Sequence, residues 1–261
     1  MKTHSNGVNL YYTIDGSDGP WVTMSHSLGC NSTMWDEQSK ILQQSYRVLR
    51  FDTRGHGQSD APVGAYTLDE LAEDLAGLLR SLNVSETHFV GLSMGGMIGM
   101  TFALKYPGVF SSLSLCDTTS RVPTEAAPVW AERIQLASTH GMEPLVEPTL
   151  KRWFTDPFIM AQPRVMQRVG NMIRATPVAG YVGCCEAIAK MDCTDRLRSI
   201  ASPVHVVVGE QDVGTPVEMS RNIQRAIAGS ELTIIASASH ISNIEQPEIF
   251  NQALTGFLAK H

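Results

Sequence analysis

Residues 87–106 read THFVGLSMGGMIGMTFALKY. Their centre, Gly91-Leu92-Ser93-Met94-Gly95-Gly96, sets a serine between glycines two positions either side. Phe89 and Val90 close a β-rich run, and an apolar helical run follows. A serine at such a junction occupies a strained turn that lifts its Oγ above the end of a strand. Side chains at positions 91 and 95 would clash there, so glycine is required. The alternative is a glycine-rich strand-to-helix turn with an incidental serine. The flanking strand and helix patterns favour the first reading.

Working outward, strand and helix patterns alternate. VNLYYTID, WVTMSHS and YRVLRFD read as strands on either side of turn-rich runs. Leu68, Leu71, Leu75, Leu78, Leu79 and Leu82 recur at helical spacing, and Thr67 with Glu70 forms a capping box. After the serine's helix, stopped by Pro107, SSLSLCD reads as a strand. VHVVVGEQ, VEMSRNIQRAI, ELTIIAS and PEIFNQALTGFLAKH continue the alternation as strand, helix, strand and helix. Between Arg121 and Arg198 prolines are scattered, helices look short and no strand is evident. The pattern predicts an α/β fold: a mostly parallel sheet with helices on both faces and a helical cap inserted after the sixth strand. Residues 1–120 and 199–261 are expected to form the core, and residues 121–198 the cap over the carboxyl edge of the sheet.

The bulk numbers agree with one such unit. The chain has 261 residues, 43% of them hydrophobic and 18% charged, with a net charge of −6. No run of one sign favours a nucleic-acid or membrane-surface partner. The five cysteines, Cys30, Cys116, Cys184, Cys185 and Cys193, are odd in number and include no C-x-x-C pair. They are expected to be buried reduced thiols in a cytoplasmic protein. No apolar run approaches a membrane span, and MKTHSNGVNLYY lacks the apolar region of a signal peptide.

A serine nucleophile needs a base, and the base needs a carboxylate. His240, in SASHISNIEQP, follows the last strand and is the expected base. Asp212, after VHVVVGEQ, is the expected acid, with Asp117 after SSLSLC as runner-up. Asp52 and Arg54 suggest a local salt bridge. His205 is expected to be packed in a strand, and His56 to be structural, in a tight surface turn. The oxyanion that forms on attack needs fixed donors. The backbone N–H of Met94, after the nucleophile, and of Leu28, in the SHSLG loop, are the candidates.

With these residues placed, the chain resembles the α/β-hydrolase superfamily over its whole length. Within it, the chain is most similar to the 3-oxoadipate enol-lactonases. The stretches that carry the resemblance are SLGCNSTMWD, RVLRFDTRGHGQSDAPVGAYTLDEL, GLSMGG, KRWFT, GYVGCCEAI and SHISNIE. DTRGHGQSD and GLSMGG are shared by many α/β hydrolases; KRWFT, CCEAI and HISNIE are narrower. Two places depart from the family pattern. His26 stands where the family has Asn, and Asp117-Thr118-Thr119-Ser120 replaces an Asn-Thr-Ala-Ala run.

The resemblance implies a small-molecule substrate, a five-membered enol-lactone bearing a carboxymethyl group, and no metal or organic cofactor. An Arg fork would suit its free carboxylate. Arg133, in PVWAERIQ, is the candidate, with Trp130 one helical turn before it and Trp153 of KRWFT as pocket walls. The plainer alternative is an exposed helical arginine and two core tryptophans. Three other activities share the scaffold: a broad carboxylesterase, a cofactor-free perhydrolase and a non-catalytic ligand receptor. The sequence leaves the oligomeric state open.

Overall fold

The computed structural model describes residues 1–261. Eight strands form one sheet in the order β1-β2-β4-β3-β5-β6-β7-β8. They are β1 (Lys2–Ser5), β2 (Val8–Asp15), β3 (Trp21–Ser25), β4 (Arg47–Phe51), β5 (Thr87–Leu92), β6 (Phe110–Cys116), β7 (Val204–Gly209) and β8 (Glu231–Ile235). β1 and β2 pair antiparallel with each other, and β2 does so with β4. Every pairing from β4 to β8 is parallel. β1 carries KTHS, too short and too polar to be read as a strand from sequence; it forms by pairing along β2.

Parallel neighbours require crossovers, and helices supply them. α1 (Asp36–Leu42) joins β3 to β4, α2 (Leu68–Ser81) joins β4 to β5, and α3 (Met94–Lys105) joins β5 to β6. The expected capping box is present: Glu70 N–H donates to Thr67 Oγ1 at 3.1 Å, and Thr67 N–H donates to Glu70 Oε2 at 2.9 Å. α3 is apolar on nearly all sides because it packs on β3, β5 and β6 and against α2. Beneath it the rings of Phe89, Phe110 and Phe102 stack at 4.7 and 4.5 Å, burying large apolar area in low-energy offsets.

Between β6 and β7 lie five helices: α4 (Ala127–His140), α5 (Glu143–Trp153), α6 (Asp156–Ala161), α7 (Pro163–Ala175) and α8 (Val178–Ile188). Most of the scattered prolines of this segment mark helix starts; Pro148 lies inside α5. Pro128, Pro144, Pro157 and Pro163 sit in first turns, where a missing N–H costs nothing. α9 (Val217–Ala226) joins β7 to β8, and α10 (Ser242–Glu245) and α11 (Pro247–Leu258) close the chain. No helix is long and apolar enough to cross a membrane.

The strand order positions the site. From β3 the chain crosses to β4 on one side; from β5 it crosses to β6 on the other. The connections leaving the carboxyl ends of β3 and β5 therefore diverge and open a crevice, the place where such sheets bind ligands.

Two expectations need correction. Arg54 does not pair with Asp52; its guanidinium forks onto Asp74 of α2, with Nη2 2.6 Å from Oδ1 and Nε 2.7 Å from Oδ2. Asp52 instead accepts the N–H groups of Ser32 and Gln58, both at 2.8 Å. His56 does sit in a tight turn, but its ring is fully buried rather than at the surface.

Candidate active site

Ser93 sits between β5 and α3 with φ 55° and ψ −115°, a conformation an L residue adopts only under constraint. The constraint is visible on both sides. A Cβ at Gly91 would run into the Gly95 carbonyl, and one at Gly95 would strike the carbonyl of Ser25 on β3. Thr118 Oγ1 donates to the Ser93 carbonyl at 2.7 Å, and Ser93 N–H donates to the Cys116 carbonyl at 2.8 Å. The turn is thus tied to the end of β6.

The structure brings together three side chains separated widely in the chain. His240 Nε2 lies 3.0 Å from Ser93 Oγ, and His240 Nδ1 lies 2.8 Å from Asp212 Oδ2. Asp212 and His240 are both buried. Asp212 Oδ1 accepts the N–H groups of Gly214 and Thr215, and Oδ2 also accepts the Thr215 hydroxyl at 2.7 Å. Burial pushes the Asp212 carboxyl up, but the His240 charge and hydrogen bond, with the Thr215 donors, outweigh it and hold the group low. An ionised Asp212 accepts from Nδ1 of His240, so in the neutral imidazole the proton sits on Nδ1 and Nε2 is left bare toward Ser93.

Asp117, the runner-up acid, is occupied elsewhere. Its Oδ1 accepts the Gly209 N–H at 2.7 Å and its Oδ2 accepts the Ser242 hydroxyl at 2.5 Å. Burial, and then the nearby Asp212 charge, drive its carboxyl well above the usual range. Asp117 ties together the ends of β6, β7 and α10.

The SHSLG loop rests on two buried histidines whose rings lie 5.1 Å apart. Gly29 N–H donates to His56 Nε2 at 3.0 Å, and Thr53 N–H donates to His26 Nε2 at 2.9 Å. A backbone N–H can only donate, so both rings are neutral with their protons on Nδ1. His26 Nδ1 then donates to the Ser27 carbonyl at 2.8 Å. Burial lowers His26 to about 4; burial, and then the neighbouring His26, lower His56 to about 3. The Leu28 N–H donates to no protein acceptor. Met94 opens α3, so its N–H has no partner within the helix. Leu28 borders the same cavity as Ser93.

That cavity, of about 290 Å³, lies between the sheet edge and the helical segment. Arg133, Trp130 and Trp153 all border it. Arg133 stacks over the Trp130 ring, 4.8 Å from its centroid. Trp153 is buried, its ring 6.3 Å from that of His240. Arg152 was not anticipated from sequence and borders the cavity too. Its carbonyl accepts Ser239 Oγ at 3.2 Å, while its guanidinium has no hydrogen-bond partner in the protein. Its signal in the sequence is KRWFT, where Arg152 directly precedes Trp153.

Comparison with known proteins places these features in context. A family model described as the alpha/beta hydrolase fold matches residues 20–247. Over 250 residues the chain is 36% identical to 3-oxoadipate enol-lactonase 2 of Acinetobacter baylyi, covering 96% of this chain and 92% of that one. The crystal structure of the enol-lactonase from Burkholderia xenovorans superposes with a TM-score of 0.96 at 36% identity, covering 99% of this chain and 100% of the other. A thermophilic esterase from Thermogutta terrifontis superposes with a TM-score of 0.92 at 29% identity, covering 99% and 96%.

Proposed function

The chain belongs to the alpha/beta-hydrolase fold family, and within it we propose a serine lactonase that opens a carboxymethyl enol-lactone, 3-oxoadipate enol-lactone, to the keto diacid. Residues 121–198 serve as the cap that closes over the substrate. The observation that carries the proposal is the unbroken relay from Ser93 Oγ through His240 to Asp212 at the floor of a cavity that also holds Arg133.

In the proposed mechanism Arg133 pairs with the carboxylate of the lactone while Trp130 and Trp153 wall the ring. His240 Nε2 takes the Ser93 proton as Oγ attacks the lactone carbonyl. The carbonyl electron pair moves onto oxygen, where the Leu28 and Met94 N–H groups receive it. As the carbonyl re-forms, the ring C–O bond breaks and the pair goes to the enol oxygen, which His240 protonates. The leaving group stays tethered to the acyl chain because the substrate is a ring. Water then gives a proton to His240 and attacks the acyl-enzyme; the Ser93–acyl bond breaks and Ser93 recovers its proton. The released carboxylate and the ketonised enol give 3-oxoadipate.

The test is direct. Purified protein should abolish the ultraviolet absorbance of the enol-lactone, and Ser93→Ala should not. Faster turnover of short p-nitrophenyl esters than of the lactone would replace this assignment with a broad esterase.

A further inference from the structure

The cavity holds a second cation for which the lactone's single carboxylate does not account. Arg133 on α4 and Arg152 on α5 border the same space beside Ser93, and neither guanidinium forms an ion pair with the protein. Three arginines at the surface are paired instead. Arg174 forks onto Glu143, Arg121 lies 2.8 Å from Asp192, and Arg225 lies 2.7 Å from Glu218. Burial, and then the Arg133 charge, lower Arg152 to about 10. Asp212, which acts on Arg152 in the opposite sense, is engaged by His240 and Thr215. Tyr181 also borders this cavity, and burial raises its hydroxyl well above the usual phenol range, so it stays neutral. Two like charges confined in a small cavity repel, and a partly desolvated guanidinium without a partner is costly. An anion supplied by the ligand offsets both costs.

We propose that the cavity is a two-anion site, in which Arg133 and Arg152 together bind linear dicarboxylates in preference to monocarboxylates of the same length. This deepens the lactonase proposal and rests on it for its chemistry. The lactone enters with one carboxylate, held by Arg133. Ring opening and hydrolysis create the second at the former lactone carbonyl, and Arg152 receives it. The enzyme therefore holds its diacid product more tightly than its monoanionic substrate, and product competes with substrate during turnover.

The test uses non-hydrolysable ligands, so it does not depend on lactone turnover. Adipate, 6-hydroxyhexanoate and hexanoate are titrated into the full-length protein by calorimetry. Adipate is expected to bind at least ~10-fold more tightly than either monoanion, the fold-change of one good charge-assisted contact. Arg152→Gln should erase that preference while leaving hexanoate affinity within about two-fold. Arg152→Lys, which keeps the charge, should retain part of it. Equal affinities of the three ligands for the wild-type protein would overturn the proposal. So would an Arg152→Gln protein, folded by its melting transition, that keeps the adipate preference. If Arg152→Gln does not fold, the wild-type ligand series and Arg152→Lys decide the matter. Loss of the lactonase assignment would appear separately, as wild-type protein that binds adipate but does not consume the lactone.

Discussion

Glu245 Oε1 accepts both the N–H and the hydroxyl of Thr155, at 2.9 and 2.5 Å. Its other oxygen accepts the N–H of Ser239, the residue before His240, at 2.8 Å. The Ile241 N–H donates to the Trp153 carbonyl at 3.2 Å. One buried carboxylate thus fastens the KRWFT stretch to the loop that carries His240. Two of the three narrower stretches, KRWFT and HISNIE, are two halves of one joint. Glu245→Gln exchanges an acceptor for an amide that cannot accept all three donors. Leaving a buried donor unpaired costs about 1–3 kcal/mol. Urea denaturation should show a loss of that size, and turnover should fall because His240 is less firmly aimed.

Under the proposed mechanism Ser93→Ala should lower turnover by roughly 10³-fold or more, since members of such a triad act as a unit. Ser93→Gly should be equally inactive yet more stable than Ser93→Ala. Glycine adopts φ 55° without steric strain, and release of such strain contributes about 1 kcal/mol after glycine's greater entropy in the unfolded chain is counted. Thermal melting of the two variants side by side checks this.

Asp212→Asn and Asp117→Asn should part company. The first removes the charge that stabilises the imidazolium, and kcat should drop by about 10⁴-fold. The second leaves kcat within about ten-fold, because Asp117 bonds Gly209 and Ser242, not His240. The sign of its stability effect follows from the raised carboxyl. Folding favours the protonated form, so the native state loses stability as pH rises above the unfolded carboxyl value. Asparagine removes that penalty, and Asp117→Asn should melt at or above the wild-type temperature at neutral pH.

Three buried histidines set an acid limit. His26 and His205 are lowered by burial to about 4 and His56 to about 3, from an ordinary 6.5. Between those values the unfolded chain binds more protons than the folded one, so falling pH favours unfolding. Each histidine contributes a slope of up to about 1.4 kcal/mol per pH unit below about pH 6.5. His26→Asn should flatten the dependence of urea midpoint on pH by about one proton across this window. The slope should remain unchanged above it.

Arg133→Ala should raise KM for the lactone by about ten-fold or more with kcat changed less, the signature of lost uniform binding. An unchanged KM would return Arg133 to the role of a helical arginine stacked on Trp130.

Much of this molecule was legible in local patterns. The elbow could be read because a strand end, a serine and two glycines are contiguous, and their steric reason is local. The α2 capping box and leucine spacing could be read for the same cause. Ser93, Asp212 and His240 could be nominated because each follows a strand, and parallel strands deliver their carboxyl ends to one edge. β1 and the identity of Arg54's partner could not be read, since pairing along β2 and contact with α2 depend on the closed fold.

By itself the sequence determined the order of strands and helices, the chemistry available at each strand end, and the family to which that order belongs. Only the tertiary structure decided which of two carboxylates faces His240, why His26 and His56 are neutral, and that Arg152 enters the cavity beside Arg133 without a partner. The reason is range. Periodicity and turn geometry act over a few residues and are written in adjacent letters, whereas hydrogen bonds such as Asp212–His240 and Glu245–Thr155 join residues 28 and 90 positions apart, where only packing sets the distance.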